Sequence, residues 1–78
     1  MRLYGEEIPE HVIDHALTGM DLHQGFTMLN LVGALRRAGA SKDDRVLNRC
    51  ADRTLQKLRR MGAVAFDGRV WKVTPEAS

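Results

Sequence analysis

Three groups of side chains have types and spacings that could do chemistry: a run of basic residues from Arg45 to Lys72, the histidines His11 and His15, and a lone thiol, Cys50. Between Arg45 and Lys72 stand eight basic residues against two acidic ones, Asp52 and Asp67. On a helix, residues three or four apart share a face, so cations at that spacing can neutralise successive phosphates of a nucleic-acid backbone. Arg45, Arg49, Arg53, Lys57 and Arg60 have it. The guanidinium forks of Arg49 and Arg53 suit the O6 and N7 acceptors of guanine, and the amides of Asn48 and Gln56 suit adenine. Asp52 could accept from a cytosine amino group, but pairing with Arg49 within the helix is the stronger reading. Arg69 and Lys72 would add contacts from the segment that follows.

The other two groups are weaker. His11 and His15 are four apart, a spacing that can hold a divalent metal, yet no thiolate accompanies them and no glutamate occupies the metalloprotease position. An exposed histidine pair is expected, and no metal. Cys50 falls on the apolar side of its helix, where cysteine behaves as a small hydrophobe, with no activating base beside it. The sequence contains no phosphate loop, paired catalytic carboxylates or nucleophilic triad. A non-enzymatic protein without a cofactor is expected.

The elements that position these residues must fit in 78 residues, 44% of them hydrophobic. Ordering such a chain costs on the order of 100 kcal/mol, which requires one economical core and excludes a large enzyme fold. A single domain is expected, with its core over residues 8 to 74 and loose ends at 1 to 7 and 75 to 78. The net charge of +2 averages two unlike halves: residues 1 to 40 carry three basic and five acidic side chains, residues 41 to 78 nine and five. One cysteine excludes an internal disulfide and suits a reducing compartment. No run approaches the roughly 18 apolar residues of a membrane span. The expectation is a soluble, cytoplasmic protein that does not engage membranes.

Periodicity predicts three helices and a hairpin. Pro9 suits a first helical position, Val12, Ile13, Ala16 and Leu17 form one apolar face, and Gly19 can supply a left-handed cap. A connector over residues 20 to 25 has room for a short strand. Thr27 caps a second helix, with Phe26 and Leu31 as a hydrophobic staple. Met28, Leu29, Leu31, Val32, Ala34, Leu35 and Ala38 cover most of its circumference, so it should be the most buried. Ser41 opens the third helix, with Asp44 as its capping-box partner, and Gly62 ends it after Met61. Val46, Leu47, Cys50, Ala51, Thr54, Leu58 and Met61 share its core arc, with Leu55 at the edge. Arg45, Arg49, Asp52, Gln56 and Arg60 lie opposite, flanked by Asn48 and Arg59 on one side and Arg53 and Lys57 on the other. Asp67-Gly68 predicts a two-residue hairpin turn pairing Phe66 with Arg69 and Val64 with Trp71. Val64, Phe66, Trp71 and Val73 would then face the helices.

This mainly α arrangement with a small antiparallel hairpin resembles the winged helix-turn-helix family. The stretch Ala51-Asp52-Arg53-Thr54-Leu55-Gln56-Lys57-Leu58-Arg59-Arg60-Met61-Gly62-Ala63-Val64 is similar to that family's recurring pattern, in which two leucines precede a glycine and the apolar residue that starts the wing. Trp71-Lys72 suits the second wing strand. The resemblance covers residues 8 to 74 and extends to small winged-helix proteins of phages, prophages and other mobile elements. It implies a three-helix winged helix-turn-helix that binds double-stranded DNA in transcription regulation, with the third helix in a major groove and the wing on adjacent backbone. The DNA-contacting set would be Arg45, Asn48, Arg49, Asp52, Arg53, Gln56, Lys57, Arg60, Arg69 and Lys72. A competing reading keeps the fold but makes it a protein-interaction module or inhibitor binding a host protein complex. Asp43, Asp44 and Asp52 favour it, because carboxylates there suit a protein partner better than phosphate. Homodimerisation through the N-terminal segment or first helix is a third reading.

Overall fold

The computed structural model describes residues 1–74 and contains three helices and two small antiparallel hairpins. The elements run β1 (Arg2–Leu3), β2 (Glu6–Glu7), α1 (Glu10–Thr18), α2 (Met28–Arg37), α3 (Asp44–Arg60), β3 (Val64–Phe66) and β4 (Trp71–Val73). The expected loose segment at 75 to 78 lies outside the described residues.

The first hairpin revises the expectation that residues 1 to 7 are loose. Tyr4 and Gly5 both adopt positive φ, 50° and 83°, which makes the tight turn between β1 and β2. The hairpin is held down by burial rather than by its short ladder. Leu3 is 4% exposed, Ile8 is fully buried, and Ile8 exchanges main-chain hydrogen bonds with Met1. Glu6 adds a tie to distant sequence, accepting from the Ser41 hydroxyl at 2.9 Å.

That contact also explains why Ser41 does not cap α3. Its hydroxyl donates to Glu6 and accepts from the Asp43 main-chain N–H, and the cap passes to Asp43, whose carboxylate accepts from the Arg45 N–H at 2.9 Å. Asp44 turns instead to Arg36 of α2. For α2 the expected cap is present: Thr27 and Asn30 form a reciprocal capping box, and Phe26 and Leu31 are both buried. Pro9 sits one position earlier than expected, as the cap of α1, and Gly19 ends that helix in a right-handed conformation. Gly39 and Gly62, at φ of 82° and 72°, close α2 and α3 with the same pair of back-reaching bonds, Ala40 to Leu35 and Gly39 to Arg36, Ala63 to Leu58 and Gly62 to Arg59.

α2 packs along α3 and also against α1, and Phe26, Ile8, Leu31, Leu35, Leu47, Val46 and Cys50 fill the centre. Four of the ten α2 residues are buried, the largest share of any helix, against two of nine in α1 and six of seventeen in α3. Leu29 departs from its expected place, lying 82% exposed on the outer side of α2. Met61, which follows α3 as its cap, is likewise exposed, while Leu55 on α3 is buried rather than marginal.

The C-terminal hairpin forms in a register shifted by two from the expected one: Val64 pairs with Val73, Ala65 with Lys72 and Phe66 with Trp71. The cause is Asp67. Its carboxylate accepts from the N–H groups of Arg69 and Val70 at 2.9 and 3.0 Å, so Asp67 becomes the first residue of the turn and Gly68-Arg69 its centre. A shift of two preserves the faces, and Val64, Phe66, Trp71 and Val73 still lie together. Only part of that face is covered, however: Val64 is buried, Trp71 half-buried, and Phe66, at the turn end, 56% exposed. On its other edge β4 is stitched to the α1–α2 connector, where Phe26 and Trp71 exchange N–H to carbonyl bonds of 2.9 and 2.8 Å. Gly25 makes that approach possible, because a Cβ there would stand 2.5 Å from Val70 Cγ2.

Candidate functional site

The amphipathic pattern of α3 sets the geometry of the site. Val46, Leu47, Cys50, Ala51, Thr54 and Leu55 are buried, which turns Arg45, Asn48, Arg49, Arg53, Lys57, Arg59 and Arg60 outward and leaves Asp52 and Gln56 half-exposed among them. One outer face therefore holds Arg45, Asn48, Arg49, Asp52, Arg53, Gln56 and Arg60. Lys57 stands at its border, beside Arg53 and Arg60 but also lining a cleft with Glu10 and Asp14 of α1. Arg69, at the centre of the hairpin turn, and Lys72, on β4, are separate from the helix and exposed.

These residues are not equally available. Arg45 is held twice, by the Asp43 carboxylate at 3.2 Å and over the Tyr4 ring at 5.6 Å. The side-chain hydrogen bonds from Arg45, reinforced by its main-chain N–H, hold the Asp43 carboxyl below its usual pKa. Asn48 donates to the Asp44 carbonyl at 2.7 Å, one turn back along its own helix. Arg49 lies 3.9 Å from Asp52, the intrahelical pairing expected from their spacing. Lys72 lies 3.5 Å from Asp67, whose carboxyl is held below its usual pKa mainly by the Val70 and Arg69 N–H groups. Arg53, Lys57, Arg60 and Arg69 have no carboxylate partner among the described residues. Unpaired positive charge is thus concentrated on the C-terminal half of α3, not spread along it.

The three aspartates that complicate a phosphate-binding surface each have a cation beside them: Asp43 with Arg45, Asp44 with Arg36, and Asp52 with Arg49. Their repulsion of an approaching polyanion is reduced accordingly.

Sequence reasoning placed Arg59 on a flank and assigned it no contact. The structure puts it in a groove of about 560 Å³ between α3 and the hairpin, lined also by Val64, Ala65, Phe66 and Trp71. Phe66 and Trp71 are in contact there, with ring centroids 5.2 Å apart and planes inclined by 49°. Arg59 lies within one turn of Arg60 and could have been flagged from charge alone. Its proximity to two aromatic rings depends on how the hairpin docks, which the periodicity of α3 does not report.

Cys50 is fully buried, and burial pushes its thiol pKa up, away from a reactive thiolate. His11 and His15 are exposed, and among the described residues no three His, Cys, Asp or Glu side chains are grouped to hold a metal ion. No helix among the described residues is long and apolar enough to cross a membrane. What the surface offers chemically is an array of guanidinium and ammonium groups, suited to a polyanion, beside an aromatic groove. Comparison with known proteins returned no matching family model, no matching curated protein and no matching solved structure.

Proposed function

We propose that this chain is a non-enzymatic winged-helix DNA-binding protein that serves transcription regulation by laying α3 in a major groove and the β3–β4 hairpin on the adjacent backbone. The observation that carries the reading is the outer face of α3, where Arg53, Lys57 and Arg60 stand without carboxylate partners among the described residues, opposite a buried apolar arc. The order of three helices followed by a hairpin, with the α1–α2 connector bridged to β4, supports it further. So does the local pairing of Asp43, Asp44 and Asp52, which removes much of the objection to phosphate on that side.

A helix of this length can enter a groove of duplex DNA along one side while its other side remains in the core. In this reading Arg53 and Arg60 carry most of the phosphate neutralisation, with Lys57 at the edge and Arg69 reaching backbone from the hairpin turn. Arg49 can exchange Asp52 for a guanine edge, and Gln56 can address an adenine. Affinity should fall steeply with salt, since every neutralised phosphate releases condensed counterions. Fluorescence anisotropy with mixed-sequence duplexes tests the proposal. Salt-sensitive binding is expected, and absence of binding at about 50 mM salt refutes it.

A further inference from the structure

We propose that Phe66 and Trp71, with Arg59 beside them, form a stacking platform for an unpaired nucleobase, so that this chain prefers DNA bearing an extrahelical base over a perfect duplex. The proposal rests on the DNA-binding reading above and deepens it. Its starting point is the exposure of Phe66. This ring shares a strand face with Val64, which is buried, yet it is itself 56% exposed. Its one aromatic neighbour is Trp71, inclined at 49°, an arrangement that leaves part of both rings open to the groove. The fold makes little use of Phe66, and a flat apolar surface is left facing outward.

The surrounding chemistry selects the occupant. Every base presents a π face, and aromatic side chains that stack on it are most effective beside a cation that holds the neighbouring phosphate. Arg59 lines the same groove and has no carboxylate partner among the described residues. Arg59 flanks the outer face of α3, about 100° round the helix axis from Arg60, and Arg69 lies at the hairpin turn beyond Phe66. A strand whose phosphates follow those cations would bring its bases to the hairpin. In a perfect duplex the bases remain stacked on one another and cannot occupy the groove. An extrahelical base can, and it costs less to unstack.

Two DNAs of one sequence, a perfect duplex and the same duplex with a single extra unpaired thymine, are titrated at the same salt concentration. The readouts are anisotropy of the labelled DNA and emission of Trp71, the chain's sole tryptophan. The bulged DNA is expected to bind about tenfold more tightly and to quench Trp71, whereas the perfect duplex leaves emission nearly unchanged. Phe66→Ala, at an exposed position, should abolish the preference while keeping perfect-duplex affinity within about twofold, and Phe66→Tyr should retain it. Equal affinity for the two DNAs with unchanged Trp71 emission overturns the platform but leaves duplex binding standing. Preference that survives in Phe66→Ala also overturns it. Binding to neither DNA overturns both readings.

Discussion

Replacing Arg53 and Arg60 together by alanine tests where on α3 the electrostatic work is done. Both are exposed, neither has a carboxylate partner among the described residues, and they lie two turns apart on one face. If each neutralises one phosphate, each supplies about 0.9 of the slope of log affinity against log salt, so the double variant should flatten that slope by about 1.8. Raising salt fourfold, from about 50 to about 200 mM, weakens binding about 3.5-fold per contact, and the parent chain should therefore lose about twelvefold more affinity over that range than the variant. Arg45→Ala is the control. Its guanidinium is already bonded to Asp43 and stacked on Tyr4, so its removal should change the slope by less than about 0.5. Anisotropy titrations at four salt concentrations measure all three proteins, and thermal unfolding checks that the surface changes leave stability within about 0.5 kcal/mol. An unchanged slope in the double variant shows that this half of α3 does not touch phosphate. A larger change in Arg45→Ala than in the double variant reverses the assignment of free and committed arginines.

Three further outcomes concern the framework. Gly25→Ala places a Cβ against Val70 at a φ of +100° and should destabilise the fold by about 1 to 3 kcal/mol in denaturant titration, and an unchanged midpoint would show that the β4 contact yields freely. Thr54 is 4% exposed and its hydroxyl, beside the Cys50 thiol, makes no well-formed hydrogen bond among the described residues, so the near-isosteric Thr54→Val should raise stability by about 1 kcal/mol; a loss means the hydroxyl–thiol contact is worth more than the burial of a methyl group. Asp43 has a depressed pKa in the folded state, so its contribution is present above the unfolded pKa and disappears as pH falls from about 5 toward the folded value. Asp43→Asn keeps a good helix cap without the charge, and its unfolding midpoint should fall less on acidification than that of the parent chain; parallel losses would show that the pairing with Arg45 is without effect.

Much of the fold was legible because periodic burial is a strong signal over long elements. The core arc of α3 is present with Val46, Leu47, Cys50, Ala51 and Thr54 buried, and Thr27 caps α2 with Phe26 and Leu31 enclosed behind it. The departures occur where a side chain chose between two partners. Ser41 could cap a helix or bond Glu6, and the choice depended on an N-terminal hairpin whose only sequence signal is Tyr4-Gly5 between two apolar residues, Leu3 and Ile8. Asp67 could occupy the centre of a turn or accept from its N–H groups, and the second option moved the hairpin register by two. The candidate site divides similarly. Sequence spacing placed the basic residues on one face, but which of them are already engaged depends on Tyr4, Asp43 and Asp52. The position of Arg59 beside two aromatic rings depends on tertiary docking alone.

The main-chain exchange between Phe26 and Trp71 joins points separated by roughly 45 residues of chain. The helices can begin to associate while a nascent chain is still short, but β4 must be available before the connector between α1 and α2 can be fixed. Closing so long a loop is slow relative to forming local turns. Cleavage at the turn between β3 and β4 would free the strand that holds Phe26 and expose that connector to proteases, so a segment made later in synthesis governs how firmly an earlier one is protected.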